Sequence, residues 1–159
     1  GDVYKRQMLD RVVRDLPTMV AFRTHVENGS MFNTPPVFPI YVLMETLRWL
    51  KSIGGVPEIY RRNKEKAALL YDEIDRNPLF RGTVDKQDRS LMNICFVMAD
   101  GYEELAPEFM EFTKERGIVG IKGHRLVGGF RASCYNALPK ESVEVLVECM
   151  QEFAAKHAK

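Results

Sequence analysis

The apolar residues of this chain follow two different rhythms, and this change is what most limits the folds available to it. Between residues 35 and 76 they recur every three or four positions, which is the period of an amphipathic helix. We predict one helix over residues 35–53, ended by a Gly-Gly pair, and a second over residues 57–76, ended by Asn77-Pro78. The polar face of the second helix is predicted to carry Arg61, Arg62, Lys64, Glu65 and Lys66.

From residue 91 onward the apolar runs are shorter and are separated by turn residues. This pattern predicts an α+β layer, with a small, mainly antiparallel sheet, helices packed on one face and two helices preceding it. We expect the two strands joined by the glycine-rich segment to pair with each other, and the first strand to cross over through its helix. The predicted elements are a strand over 91–98, a helix that Asp100 caps with Glu103 and Gly117 closes, strands over 118–121 and 130–135, and a helix opened by Pro139.

Charge and composition exclude several classes of protein. The 23 basic and 22 acidic side chains give a net charge of +1, which argues against a protein built for nucleic acid or anionic membranes. No apolar run is long enough to span a bilayer. The three cysteines include no CxxC pair and have no metal-ligand spacing with the histidines, so we predict no metal site and a reducing, cytoplasmic location.

A glycine-rich segment, KGHRLVGGFR, concentrates cationic side chains over residues 122–131. His124, Arg125 and Arg131 lie within eight residues of one another, among three glycines that let the backbone approach a ligand closely. The planar guanidinium of arginine matches a carboxylate or a phosphate with two parallel hydrogen bonds. The segment is either an anion-binding site or a solvated loop with ordinary surface arginines.

A second candidate, SMFNTPP, precedes the first predicted helix. Asn33 and Thr34 could bind an anion at the N-terminus of that helix. Alternatively, Thr34 is simply the N-cap residue, with Pro35 at the first helical position. Local sequence rules leave both interpretations open.

The first seven residues differ in character from the rest. Residues 2–7 read DVYKRQ, which is the translation of a common transposon sequencing adapter. We therefore predict that residues 1–7 are extraneous, that Met8 is an internal methionine, and that this chain is the C-terminal part of a longer protein.

Both candidate segments resemble one family. SMFNTPPVFPIYV and KGHRLVGGFRASCYNALP are similar to the C-terminal part of phosphoserine aminotransferases, and RRNKEKAALLYDEID and RSLMNICFVM also fit. The resemblance implies a homodimeric, class V, fold-type-I aminotransferase that uses pyridoxal 5'-phosphate. Residues 8–35 would be the remnant of the large cofactor-binding domain, and residues 36–159 the linking helices and the small C-terminal domain.

The resemblance also implies residue roles. Asn33 and Thr34 would bind the cofactor phosphate across the dimer interface, His124 and Arg125 the substrate phosphate, and Arg131 the substrate α-carboxylate. The Schiff-base lysine would lie upstream, so no catalytic residue is expected here and the chain alone should be inactive.

The implied reaction transfers an amino group from L-glutamate to 3-phosphohydroxypyruvate in L-serine biosynthesis, and in some members a related step of pyridoxine biosynthesis. Two alternatives stay open: another class V aminotransferase that acts on an unphosphorylated acid, or a non-catalytic anion-binding α+β module.

Overall fold

A computed structural model describes residues 7–157 of the 159-residue chain. The prediction that residues 1–7 are extraneous therefore lies, Gln7 aside, outside the described residues. The chain divides into two compact units, which meet in sequence between Trp49 and Leu50. We call them unit one and unit two and describe each by itself.

Unit one contains helix α1 (Phe22–Glu27) and most of helix α2 (Val37–Ser52). A turn follows α1, in which Gly29 and Ser30 have positive φ angles of 56° and 64° and the amide of Ser30 donates to the carbonyl of His25 at 2.7 Å. None of its described residues is buried. The predicted first helix is confirmed, although it begins at residue 37 instead of 35.

Unit two contains a three-stranded sheet and three further helices among its described residues. The sheet order is β1-β2-β3, and both strand pairs are antiparallel. The second predicted helix is confirmed as α3 and begins two residues earlier than expected. The elements are α3 (Gly55–Arg76), β1 (Phe80–Gly82), β2 (Asn93–Met98), α4 (Ala106–Glu115), β3 (Phe130–Ser133) and α5 (Lys140–His157).

The core of unit two lies between one face of this sheet and the helices. Alternate residues of β2 are buried, as expected for a strand with one covered face. Phe109 of α4 is fully buried, with ring centroids 4.9 Å from Phe80, 5.2 Å from Phe130 and 5.1 Å from Phe153. The predicted α+β layer with helices on one face is thereby confirmed.

Two strand predictions are wrong. Residues 118–121 are not a strand. The expected pairing of two strands across the glycine-rich segment is therefore absent from the described residues, where a single antiparallel bridge, between Lys122 and Phe130, joins the two flanks of that segment. Strand β3 pairs directly with β2, with Cys95 opposite Arg131. Strand β1 was not predicted, because a three-residue strand is too short to show a period.

Two side-chain predictions are also wrong. Asp100 does not cap α4, because a 3₁₀ turn (Glu103–Leu105) precedes that helix, and the Glu103 carboxylate accepts from the amide of Gly101 at 2.8 Å. Lys66 is not on the solvated face of α3 but is buried. None of the described helices combines the length and the apolar character needed to cross a membrane.

Candidate functional site

The glycine-rich segment of unit two folds into a loop closed by its own hydrogen bonds. The amide of Gly123 donates to the carbonyl of Gly129 at 2.8 Å, and the amide of Gly128 donates to the carbonyl of His124 at 2.8 Å. Inside the loop, the amide of Leu126 donates to Nδ1 of His124 at 3.3 Å. These bonds fix the backbone of the segment that carries the predicted phosphate-binding pair, whose two side chains are exposed.

One glycine is required by the closure of this loop. A Cβ at Gly123 would lie 1.9 Å from the carbonyl oxygen of Gly128, a backbone atom that cannot move aside without opening the loop. Gly128 and Gly129 adopt positive φ angles of 76° and 64°, which favour glycine. These glycines therefore allow the backbone conformation in which the two ends of the segment lie close together.

The cations of this region differ from the other arginines of unit two. Arg125 and Arg131 have no carboxylate within salt-bridge distance anywhere in the described residues, and Nε of Arg131 is buried without a hydrogen-bond partner there. A guanidinium left without an anion is available to bind one. Six of the unit's eight arginines pair with carboxylates: Arg61, Arg62, Arg76, Arg81, Arg89 and Arg116.

Arg131 also lines a cavity of about 360 Å³, which we call the arginine cavity. Its walls include residues 116–121, Ser133 of β3 and Leu146 of α5. The amide of Arg131 donates to the carbonyl of Ile121 at 2.7 Å, so the backbone that carries the guanidinium is held on both sides, by this bond and by the pairing with β2. Arg131 thus lies at the wall of a cavity on a backbone held from both sides, and no described carboxylate pairs with its guanidinium.

Asn33 and Thr34 lie in unit one, just before α2, and both are exposed. The interpretation of Thr34 as N-cap is wrong, because α2 begins at Val37 and the carbonyl of Pro36 accepts from the amide of Ile40 at 3.2 Å. Nδ2 of Asn33 donates to Sδ of Met19 at 3.4 Å, a weak partner for an amide. Both side chains therefore keep polar atoms available to a ligand.

Two functional candidates on α3 were missed from the sequence. Asn63 and Lys66 are both buried, with polar atoms directed to the turn that follows β3. The available signal was helical spacing. Lys66 lies three residues after Asn63 and four before the buried Leu70, so all three share one face of α3. Within the described residues, no group of three or more histidine, cysteine or acidic side chains is arranged to hold a metal ion.

Comparison with known proteins identifies the family. The sequence profile of the Aminotransferase class-V family matches residues 14–146. The phosphoserine aminotransferase of Phocaeicola vulgatus is 61% identical over 156 residues, which are 98% of this chain and 44% of the relative. That of Bacteroides thetaiotaomicron is 61% identical over 155 residues, with the same coverage of 98% and 44%. The chain therefore spans less than half the length of these relatives.

Solved structures give the same result. A phosphoserine aminotransferase from Bacillus circulans subsp. alkalophilus matches with a TM-score of 0.81 and 47% identity, over 90% of this chain and 39% of that one. A phosphoserine aminotransferase from Trichomonas vaginalis, solved with pyridoxal phosphate bound, matches with a TM-score of 0.76 and 41% identity, over 86% and 39%. Since the family profile covers most of the sequence and the solved structures share its fold, the chain belongs to the class-V aminotransferase family.

Proposed function

We propose that this chain is part of a phosphoserine aminotransferase. The enzyme transfers the amino group of L-glutamate to 3-phosphohydroxypyruvate, which yields 2-oxoglutarate and O-phospho-L-serine, the phosphorylated precursor of L-serine. It acts in the cytoplasm as a homodimer whose active site is shared across the interface. The support comes from relatives of that name at 61% identity, and the residue roles are those implied by the resemblance.

The observation that carries this proposal is the pair of unpaired arginines. The substrate presents a phosphate at one end and an α-carboxylate at the other, so a site for it needs cations at two positions. Arg125, together with His124, serves the phosphate, and Arg131 serves the carboxylate. In unit two these are the two arginines that no described carboxylate neutralises. A substrate whose α-carboxylate is its only anionic group would give Arg125 nothing to bind.

The residues of unit one fit one part of the cofactor. The exposed amide of Asn33 and hydroxyl of Thr34 can donate hydrogen bonds to the phosphate of pyridoxal 5'-phosphate. When bound, this cofactor accepts the amino group and withdraws electrons from the substrate Cα. The resemblance implies that the lysine that links to this cofactor belongs to the large domain, and we propose that the rest of the enzyme supplies it.

A chimera tests this function. In the Phocaeicola vulgatus phosphoserine aminotransferase, the segment that aligns with residues 8–159 of this chain is replaced by those residues, and transfer from L-glutamate to 3-phosphohydroxypyruvate is measured. We expect activity within about tenfold of that relative, because the two segments are 61% identical and solved members of the family share this fold. The chimera that carries Arg125→Ala is the control for phosphate recognition.

Two results would contradict the proposal. A chimera that transfers amino groups efficiently to unphosphorylated keto acids, but not to 3-phosphohydroxypyruvate, would indicate a different class V aminotransferase. A folded chimera that contains the cofactor yet transfers nothing would indicate that this segment is a non-catalytic module.

A further inference from the structure

A buried lysine on α3, Lys66, belongs neither to the glycine-rich loop nor to the wall of the arginine cavity. Lys66 is 2% exposed, and its Nζ donates to the carbonyls of Tyr135 at 2.7 Å, Leu138 at 3.0 Å and Cys134 at 3.5 Å. None of the salt bridges among the described residues involves it. Burying an ammonium group without a carboxylate is costly, and burial accordingly lowers the pKa of Lys66. The hydrogen bonds from Nζ to the three carbonyl oxygens offset this cost of burial.

The same face of α3 holds this turn at a second point. Nδ2 of Asn63, one helical turn before Lys66, donates to Oδ1 of Asn136 at 2.8 Å. Asn63 is 6% exposed, whereas Asn136 is exposed. Two buried polar side chains of one helix thus engage four residues within the segment 134–138. We call Asn63 and Lys66 the α3 latch.

The turn held by the α3 latch leads directly out of strand β3. Cys134 follows the last residue of the strand, three positions after Arg131, and its amide donates to the carbonyl of Met92 at 2.7 Å. Cys134 and Leu138 also line the arginine cavity. The latch therefore fixes one end of the strand that carries Arg131, and part of the wall of the cavity that Arg131 lines.

We infer that Lys66 and Asn63 are positioning residues for the α-carboxylate subsite, acting through the 134–138 turn on Arg131. This inference rests on the proposed function, which assigns the carboxylate to Arg131. A binding group displaced by about 1 Å loses much of its effect, which is why such groups are supported by a second layer of hydrogen bonds. The latch is that layer for Arg131.

The test compares Lys66→Met with Lys64→Met, a matched change at an exposed lysine of the same helix. Both are placed in the chimera defined above. We expect Lys66→Met to raise KM about tenfold for both L-glutamate and O-phosphoserine while kcat changes less than about threefold, since both substrates carry the α-carboxylate. Lys64→Met should leave both constants unchanged.

If Lys66→Met does not fold, Asn136→Ala tests the other half of the latch at an exposed residue, with an expected rise in KM of about threefold.

A second measurement needs no activity. Hydrogen exchange of the complete 159-residue chain should show the amides of Arg131, Cys134 and Leu138 exchanging at least about tenfold faster in Lys66→Met than in Lys64→Met, with no change at Met150 of α5.

Equal exchange at these amides would overturn the inference, whether or not the chimera is active. So would a lower melting temperature and a lower yield of active enzyme at an unchanged KM, which a purely structural lysine would produce. An inactive chimera without any substitution would instead contradict the proposed function.

Discussion

The two units use their apolar residues in opposite ways. In unit two, Phe96, Phe109 and Phe153 are completely buried between sheet and helices. In unit one, Phe22 and Phe38 are 73% and 75% exposed, and no described residue is buried. Helical periodicity is present in both, so periodicity alone does not indicate where the stability of a chain resides. We infer that unit two supplies the folding free energy of this chain, whereas the residues of unit one serve binding in the assembled enzyme.

The largest expected effect is on the core of unit two. Phe109→Ala removes a ring that contacts three other aromatic rings, and we expect it to lower the free energy of unfolding by about 3–5 kcal/mol. Urea unfolding of the 159-residue chain, followed by far-ultraviolet circular dichroism, measures this change. The matched control is Phe38→Ala in unit one, for which we expect less than about 0.5 kcal/mol. Equal losses in the two variants would remove the contrast between the units.

The next effect concerns a buried carboxylate that joins α3 to α5. Burial raises the pKa of Glu73, but hydrogen bonds from Gln151 at 2.8 Å, Asn77 at 2.7 Å and Arg76 at 2.8 Å outweigh it and leave the pKa below its ordinary value of 4.5. A carboxyl group whose pKa is lower in the folded state stabilises the fold above the ordinary value, and this contribution is lost as the pH falls through the folded-state pKa.

We therefore expect Glu73→Gln to cost about 2 kcal/mol at pH 7, with a difference from the unsubstituted chain that shrinks as the pH falls below about 4.5. Urea midpoints between pH 3 and pH 7 measure it. Glu115→Gln, at an exposed position of α4, is the control. A difference that stays constant over this range would show that the charge of Glu73 does not stabilise unit two.

A smaller effect on stability is expected for a substitution in the glycine-rich loop than for one in the core. Gly123→Ala places a Cβ against the carbonyl of Gly128, so the loop must open, but the buried side chains of the core are not disturbed. We expect a loss of about 1 kcal/mol in unfolding free energy and, in the chimera, a loss of at least about tenfold in kcat/KM for O-phosphoserine. Gly101→Ala, where a Cβ meets nothing within 4 Å but φ is 87°, is the control for backbone strain alone. A similar loss of kcat/KM in both variants would argue against a specific role for the loop.

The smallest effect on stability is expected in unit one. Asn33→Ala should change the unfolding free energy of the 159-residue chain by less than about 0.5 kcal/mol, because Asn33 is exposed and its partner is a thioether sulfur. In the chimera it should weaken pyridoxal phosphate binding about tenfold, through loss of a hydrogen bond to a charged phosphate. Titration of the apo-chimera with the cofactor measures this, with Asn28→Ala as control. Unchanged cofactor affinity would contradict the assignment of Asn33.

The sequence predicts the long elements and the exposed cations well, and the buried polar groups poorly. Helix α3, strand β2 and the loop around His124 and Arg125 follow from period and glycine spacing. Strand β1 exists through its pairing with β2, and a pairing partner distant in sequence leaves no local signal. The spacing of Lys66 from Leu70 places it on the buried face of α3, but the carbonyls that accept from its ammonium group belong to a turn 68–72 residues away, which no local pattern indicates.

We propose that this chain recognises two anions with two different arginines, and one comparison of half-reactions tests this assignment most directly. In the chimera, kcat/KM is measured for L-glutamate and for O-phosphoserine after Arg125→Ala and after Arg131→Ala. Loss of a charge-assisted contact costs about 2–4 kcal/mol, or about thirtyfold to a thousandfold in kcat/KM. We predict that Arg131→Ala lowers both values by such a factor, whereas Arg125→Ala lowers the value for O-phosphoserine and largely spares that for L-glutamate. Equal losses for the two substrates after Arg125→Ala would contradict the claim.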